Sequence, residues 1–271
     1  MPVFLADFRL AVLLIVRSRL WLVAGVLGGV LATTVWLAGQ FSPRQPATVA
    51  LDVGISFIRL AVPLLGLLQI QELLAREVDR RLILTSLTYP RSRASFLLAR
   101  YAAVAAIALA MTVFLGAVLA GVVSSLGAGY AQGTRVALGL PYLITGGLLW
   151  LDVAVVLAFG LVLATVATTP HLVFLVGVGF MVIARSTSSI VRLLQTDRDL
   201  VIRGAEWYQQ GLQWVQWLVP DLAALDVRPI ALYGKMEFLT ASAWALLLMP
   251  MGYIAVLLLL ACQRFGKRQF N

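Results

Sequence analysis

The feature that most constrains this chain is a succession of apolar runs almost free of charge, each about 20 residues long, the length at which a helix crosses a bilayer. Six spans are predicted, over 20–37, 53–74, 101–126, 141–166, 172–184 and 239–262. The fifth is short: it borrows 164–170 or 186–194 to reach across, or it tilts or re-enters. The runs are continuous rather than alternating, which argues against an outer-membrane barrel of strands. Of the 271 residues, 61% are hydrophobic and 12% charged. A water-facing globular domain carries roughly 25% charged residues, so too little polar surface is present to wet one. Disorder is excluded by the same hydrophobicity. The expected fold is an all-α membrane protein of about six transmembrane helices, one membrane domain over 1–271.

The 21 basic residues against 12 acidic ones read as loop charge that orients helices, not as a surface for nucleic acid. One set of connections holds Arg9, Arg17 and Arg19, then Arg76, Arg80, Arg81, Arg91, Arg93 and Arg100, then Arg264, Lys267 and Arg268. The short connections on the other side hold only Arg44 and Arg135. The longer stretch 186–238 carries further basic residues, accompanied by Asp197, Asp199, Glu206, Asp221 and Asp226. Basic residues near span ends face the cytoplasm, so both termini are expected inside a bacterial inner membrane, with 186–238 a periplasmic segment of amphipathic helices. No cleavable leader is expected, because the first apolar run is long enough to span. Residues 1–19 read as a helix lying along the inner membrane surface, or as an irregular lead-in.

The connection at 75–100 is the informative one. Glu77 and Asp79 suit a helix start, Ile83 and Leu87, with Leu84 beside them, make an apolar stripe, and Pro90 after Tyr89 ends the helix. Arg91, Arg93 and Arg100 follow. The stretch from Glu77-x-Asp79 through Leu87-Thr88-Tyr89-Pro90 to Arg93, with Phe96-Leu97-Leu98 and Arg100, resembles the intracellular loop of ABC-2 type permeases, the membrane subunits of a class of ABC exporters. Within that class the pattern is most similar to permeases of nitrous oxide reductase maturation, although Arg80, Arg81 and Leu82 stand where a glycine and a threonine are usual. Pro220-Asp221-Leu222 with Leu225-Asp226 resembles the segment such permeases carry before their last span.

The resemblance implies a type V exporter-like architecture. It also implies a coupling loop (Glu77, Asp79, Leu84, Leu87, Tyr89, Pro90, Arg93) gripped by an ABC ATPase in two copies, and a second permease copy, identical or related. ATP and Mg would be bound by the ATPase and no cofactor by this chain. The sequence itself agrees on one point. A phosphate-cradling loop needs Gly-Lys followed by Ser or Thr, and the two lysines stand in Gly234-Lys235-Met236 and Gly266-Lys267-Arg268.

Arg59 and Asp152 fall inside spans, where charge is costly and faces protein or water. At similar depth they can pair, either to fix packing or to line a substrate route. Trp207, Trp214 and Trp217, with Pro220 and Asp221 after them, mark a segment that anchors at the outer interface or gates an exit. His171 and Cys262 are the lone members of their kinds, which excludes an internal disulfide and argues against a metal site or a catalytic pair. Gly25, Gly28, Gly29, Gly146 and Gly147 read as helix-packing positions. The function expected is that of an exporter permease. The alternative is a channel-forming or structural membrane protein that works without ATP, and an intramembrane enzyme is weakened by the lack of paired catalytic groups.

Overall fold

The computed structural model describes residues 2–75, 92–128, 136–167, 169–196, 220–238 and 243–267. Among them every regular element is helical, and six helices are long and apolar enough to cross a membrane. In chain order the helices are α1 (Pro2–Arg17), α2 (Leu20–Gln40), α3 (Pro46–Ile70), α4 (Arg93–Ala128), α5 (Leu140–Val166) and α6 (Pro170–Thr196). A short α7 (Arg228–Tyr233) and α8 (Ala243–Lys267) follow. A π turn, Gln71–Ala75, continues α3, and 3-10 turns occupy Leu222–Leu225 and Met236–Phe238.

Three spans run past a charged residue that hydropathy takes for a boundary, and in each that residue has a partner. The second starts at Pro46, not at 53, because Asp52 is paired inside the helix. The third starts at Arg93, not at 101. Arg100 is buried there, its guanidinium 4.4 Å from the centre of the Phe96 ring and donating to the Leu73 carbonyl at 3.4 Å. The fifth continues past Arg185 to Thr196, because Asp152 neutralises Arg185. A charge marks a span boundary only while it has no partner. The extension takes 186–194, while Val166 ends α5, so the stretch 186–196 continues the fifth helix. Residues 239–242 lie outside the described residues.

Helix starts follow local chemistry. Proline occupies the first turn of α3, α5 and α7, where its missing N–H costs nothing. The Ser92 hydroxyl caps α4 by accepting the Ser95 N–H at 3.2 Å. α7 stops at Gly234, whose φ of 68° lets its N–H return to the Ile230 carbonyl at 3.0 Å. Between α1 and α2 the chain breaks at Ser18 and Arg19, the latter left-handed at φ 62°. The break sets α1 apart from α2, and α1 lays Asp7, Ala11 and Ile15, one helical stripe, against the bundle, chiefly α4. Its other face carries Leu10, Leu13 and Leu14, apolar and exposed. That pattern suits a helix lying in an interface.

α5 is the centre of the bundle. Of its most apolar stretch 72% is buried, against 22% for α2 and for α8, which stand at the edge. A helix apolar on every side finds its place only where neighbours surround it. α3, α4, α6 and α8 all pack on α5. Three aromatic donors fix its register against α4. The Tyr142 hydroxyl donates to Gly116 O at 2.7 Å, Trp150 Nε1 to Ala105 O at 3.1 Å, and the Tyr101 hydroxyl to Ala154 O at 3.1 Å. Close approach elsewhere depends on glycine: a Cβ on Gly160 or on Gly177 would come within 2.7 or 2.8 Å of Leu67 Cδ2, so Leu67 of α3 sits in a notch made by α5 and α6. Gly25, Gly29, Gly146 and Gly147, which the sequence suggests as packing positions, have open space above them, and only Gly28 of that set meets a neighbour, the Phe114 ring.

Candidate functional site

Arg59 is the fourteenth residue of α3 and Asp152 the thirteenth of α5. At 1.5 Å per residue they lie about 20 Å and about 18 Å from the starts of their parallel helices, which brings them level. They meet: Arg59 Nε donates to Asp152 Oδ2 at 3.1 Å. The pair is the root of a larger network. Arg185 of α6 donates from Nη2 to the same Asp152 oxygen at 2.8 Å. Arg59 Nη1 donates to Asp226 Oδ2, and its Nη2 to the Leu222 carbonyl at 2.9 Å. Arg228 grips Asp226 with both arms of its fork, Nε to Oδ1 at 2.8 Å and Nη2 to Oδ2 at 2.6 Å. Its Nη1 reaches back to α3, to Asp52 Oδ1 at 2.8 Å and Ser56 Oγ at 2.6 Å.

Among the described residues, three arginines and three aspartates are thus joined in one assembly whose formal charges cancel. Asp152 is 1% exposed, and such a burial is tolerable only because two guanidiniums face it. Its Oδ1 and the Arg185 Nε are buried with no hydrogen-bond partner among the described residues. For Asp226, burial pulls the carboxyl upward, but the hydrogen bond from Arg228 and the charge of Arg59 outweigh it and hold the carboxyl below its ordinary value. Arg228 is held above its own, chiefly by the Asp226 bond. Both therefore remain charged through the neutral range.

The segment 220–233 delivers Asp226 and Arg228. Leu222, Leu225, Ile230 and Ala231 are buried, and the segment packs on α3, α5 and α6. Asp221 caps its 3-10 turn by accepting the Ala223 N–H at 3.1 Å, and Pro220 lines a shallow apolar groove with Leu222, Leu225, Leu246, Met249 and Pro250 of the turn and α8. Trp207, Trp214 and Trp217 lie outside the described residues, as do Asp197, Asp199 and Glu206.

The coupling-loop residues Glu77, Asp79, Leu84, Leu87, Tyr89 and Pro90 also lie outside the described residues, but both flanks of that connection are visible at the opposite end of the bundle. On one side the π turn Gln71–Ala75 packs on α5 and α6. On the other, Arg93 Nη1 donates to the Gly266 carbonyl of α8 at 3.1 Å, and the Phe96 and Phe265 rings stack 6.3 Å apart. His171 is not isolated, as its Nδ1 lies 3.3 Å from Gln71 Nε2. Cys262 is half-buried on α8.

Asp52, Arg185, Asp226 and Arg228 were not legible as site residues. Arg185 stands among serines and threonines, and Asp226 and Arg228 sit in a polar stretch, where charges ordinarily meet water. In comparisons with known proteins, a family model described as "ABC-2 family transporter protein" matches residues 13–270. No curated protein matches the chain.

Proposed function

The chain belongs to the ABC-2 transporter family, as a multi-pass membrane protein and permease whose family works with an ABC ATPase, and from that premise we propose that it forms the substrate path of an ATP-driven exporter. In this reading two permease copies, identical or related, enclose the path, and two copies of a separate ATPase bind ATP and Mg. The 76–91 connection, with Glu77, Asp79, Leu84, Leu87, Tyr89 and Pro90, is the part the ATPase moves. The basic residues beside that connection and beside both termini support a cytoplasmic location for this end, in a bacterial inner membrane.

The observation that carries the reading is mechanical. A force on 76–91 reaches the spans only if both of its flanks are stiff. The entry flank is the π turn seated on α5 and α6. The exit flank is tied to α8 through Arg93 and Gly266 and through the Phe96–Phe265 stack, and Arg100 joins it to Leu73 of the π turn. Movement of the connection is therefore passed to α3, α4 and α8 together. At the far end, 220–233 forms part of the exit gate, for which Trp207, Trp214 and Trp217 are the further candidates from the sequence.

The test is co-purification. The full chain, expressed with the products of its neighbouring genes, is expected to bring down an ABC ATPase. Glu77→Lys or Pro90→Ala is expected to reduce the bound ATPase several-fold without changing the folded yield of the permease. Absence of any ATPase, or equal capture by both variants, would favour a channel-forming or structural protein that works without ATP.

A further inference from the structure

The charge network has two tiers that differ in burial and in the elements they join. The inner tier is Arg59, Asp152 and Arg185, all on spanning helices, around an aspartate that is 1% exposed. The outer tier joins the 220–233 segment to α3. Asp226 and the Leu222 carbonyl take Arg59, and Arg228 takes Asp52 and Ser56. Its carboxylates are wetter: the Asp226 side chain is 22% exposed and that of Asp52 49%.

The charges divide cleanly along that seam. Asp226 and Arg228 sit on the segment and hold each other by two hydrogen bonds, so together they are neutral. Arg59, Arg185, Asp152 and Asp52 sit on the bundle, and their formal charges also cancel. Lifting the segment strands no net charge on either side, and Arg59 keeps Asp152. Stranding a charge is what makes most buried ion pairs costly to open. This one separates into two neutral halves. Beside the segment, the apolar groove bounded by Leu246, Met249 and Pro250 leaves space toward α8.

We infer that 220–233 is a strap that unseats from the bundle as a unit, along the seam between the two neutral half-networks, with the Asp226–Arg59 contact as its clasp. The inference deepens the exit-gate reading above. The segment's buried apolar residues hold it down, and the outer ion pairs decide when it lets go. Arg59 acts as a positioning residue that orients the strap and remains part of the core when the strap leaves.

The experiment uses the full chain in lipid nanodiscs with Cys262→Ser, which removes the single cysteine. Ala231→Cys places a thiol at a buried strap position, and Ala158→Cys one at a buried position of α5. The readout is the rate of reaction with a water-soluble maleimide. Ala231→Cys is expected to react slowly in the parent. With Asp226→Asn it reacts about tenfold faster, the shift in an opening equilibrium that matches about 1.4 kcal/mol taken from the clasp. Asp52→Asn, which touches only the outer rim, gives a smaller increase, and Ala158→Cys remains unreactive throughout. Fast labelling of Ala231→Cys in the parent overturns the strap, and so does an unchanged rate with Asp226→Asn. A rate that rises together with that of Ala158→Cys also overturns it, since the whole bundle would then be loosening. No ATPase takes part, so these outcomes are independent of whether the exporter reading holds.

Discussion

Asp152 neutralises two arginines through one oxygen, deep in the bundle. Removing its charge leaves Arg59 with Asp226, but leaves Arg185 buried without an acidic partner among the described residues. Breaking one member of a buried ionic group costs about 3–5 kcal/mol, because the remaining charge is stranded. Asp152→Asn is therefore expected to lose at least about 3 kcal/mol, read as a lower unfolding temperature and a lower folded yield in detergent. Asp152→Asn with Arg185→Gln should recover part of that loss, and Asp152→Asn with Arg59→Gln less, because Arg59 retains other acceptors. Wild-type stability for Asp152→Asn alone would refute the network. Arg59 and Asp152 were legible in the sequence because each interrupts an apolar run. The other four charges were not, since a charge near a span end is ordinary until its partner is known, and those partners lie far along the chain: Asp52 faces Arg228 and Arg185 faces Asp152.

Helix contacts show a similar division at the scale of whole elements. Glycine clusters such as Gly25 with Gly29 are visible in a sequence, yet the glycines that allow close approach here are scattered singles, Gly160 and Gly177 beside Leu67. What distinguishes them is a leucine on another helix, which no local pattern reports. A methyl added at either position must displace Leu67, and overpacking of this kind costs about 1–3 kcal/mol. Gly160→Ala and Gly177→Ala should each destabilise the protein by about that much in thermal unfolding. Gly25→Ala and Gly146→Ala, with nothing within 4 Å of the new carbon, should be neutral. Equal behaviour of the two classes would contradict the packing of α3 against α5 and α6. Span number followed from hydropathy alone, but span ends did not, because Asp52, Arg100 and Arg185 look like boundaries until Arg228, Phe96 and Asp152 are placed beside them.

For the whole molecule, six crossings return the chain to the side from which it started. Tags appended to the two termini should be protected or digested together in right-side-out vesicles, and should show the opposite result together in inverted ones. Tags found on opposite sides would mean that one of the six helices does not cross, and α6, which carries Arg185, is the first to suspect. The architecture was readable because a bilayer permits few solutions for long apolar runs. The 220–233 strap was not, because its descent into the bundle depends on matching charges and not on hydropathy. The three aromatic donors that tie α4 to α5 have one more consequence. Sliding one helix past the other by a turn would strand the hydroxyls of Tyr101 and Tyr142 and the indole N–H of Trp150 at three different heights. The two helices are thus keyed together like a plank, free to tilt but not to screw, and any stroke arriving at one end must emerge at the other as a swing.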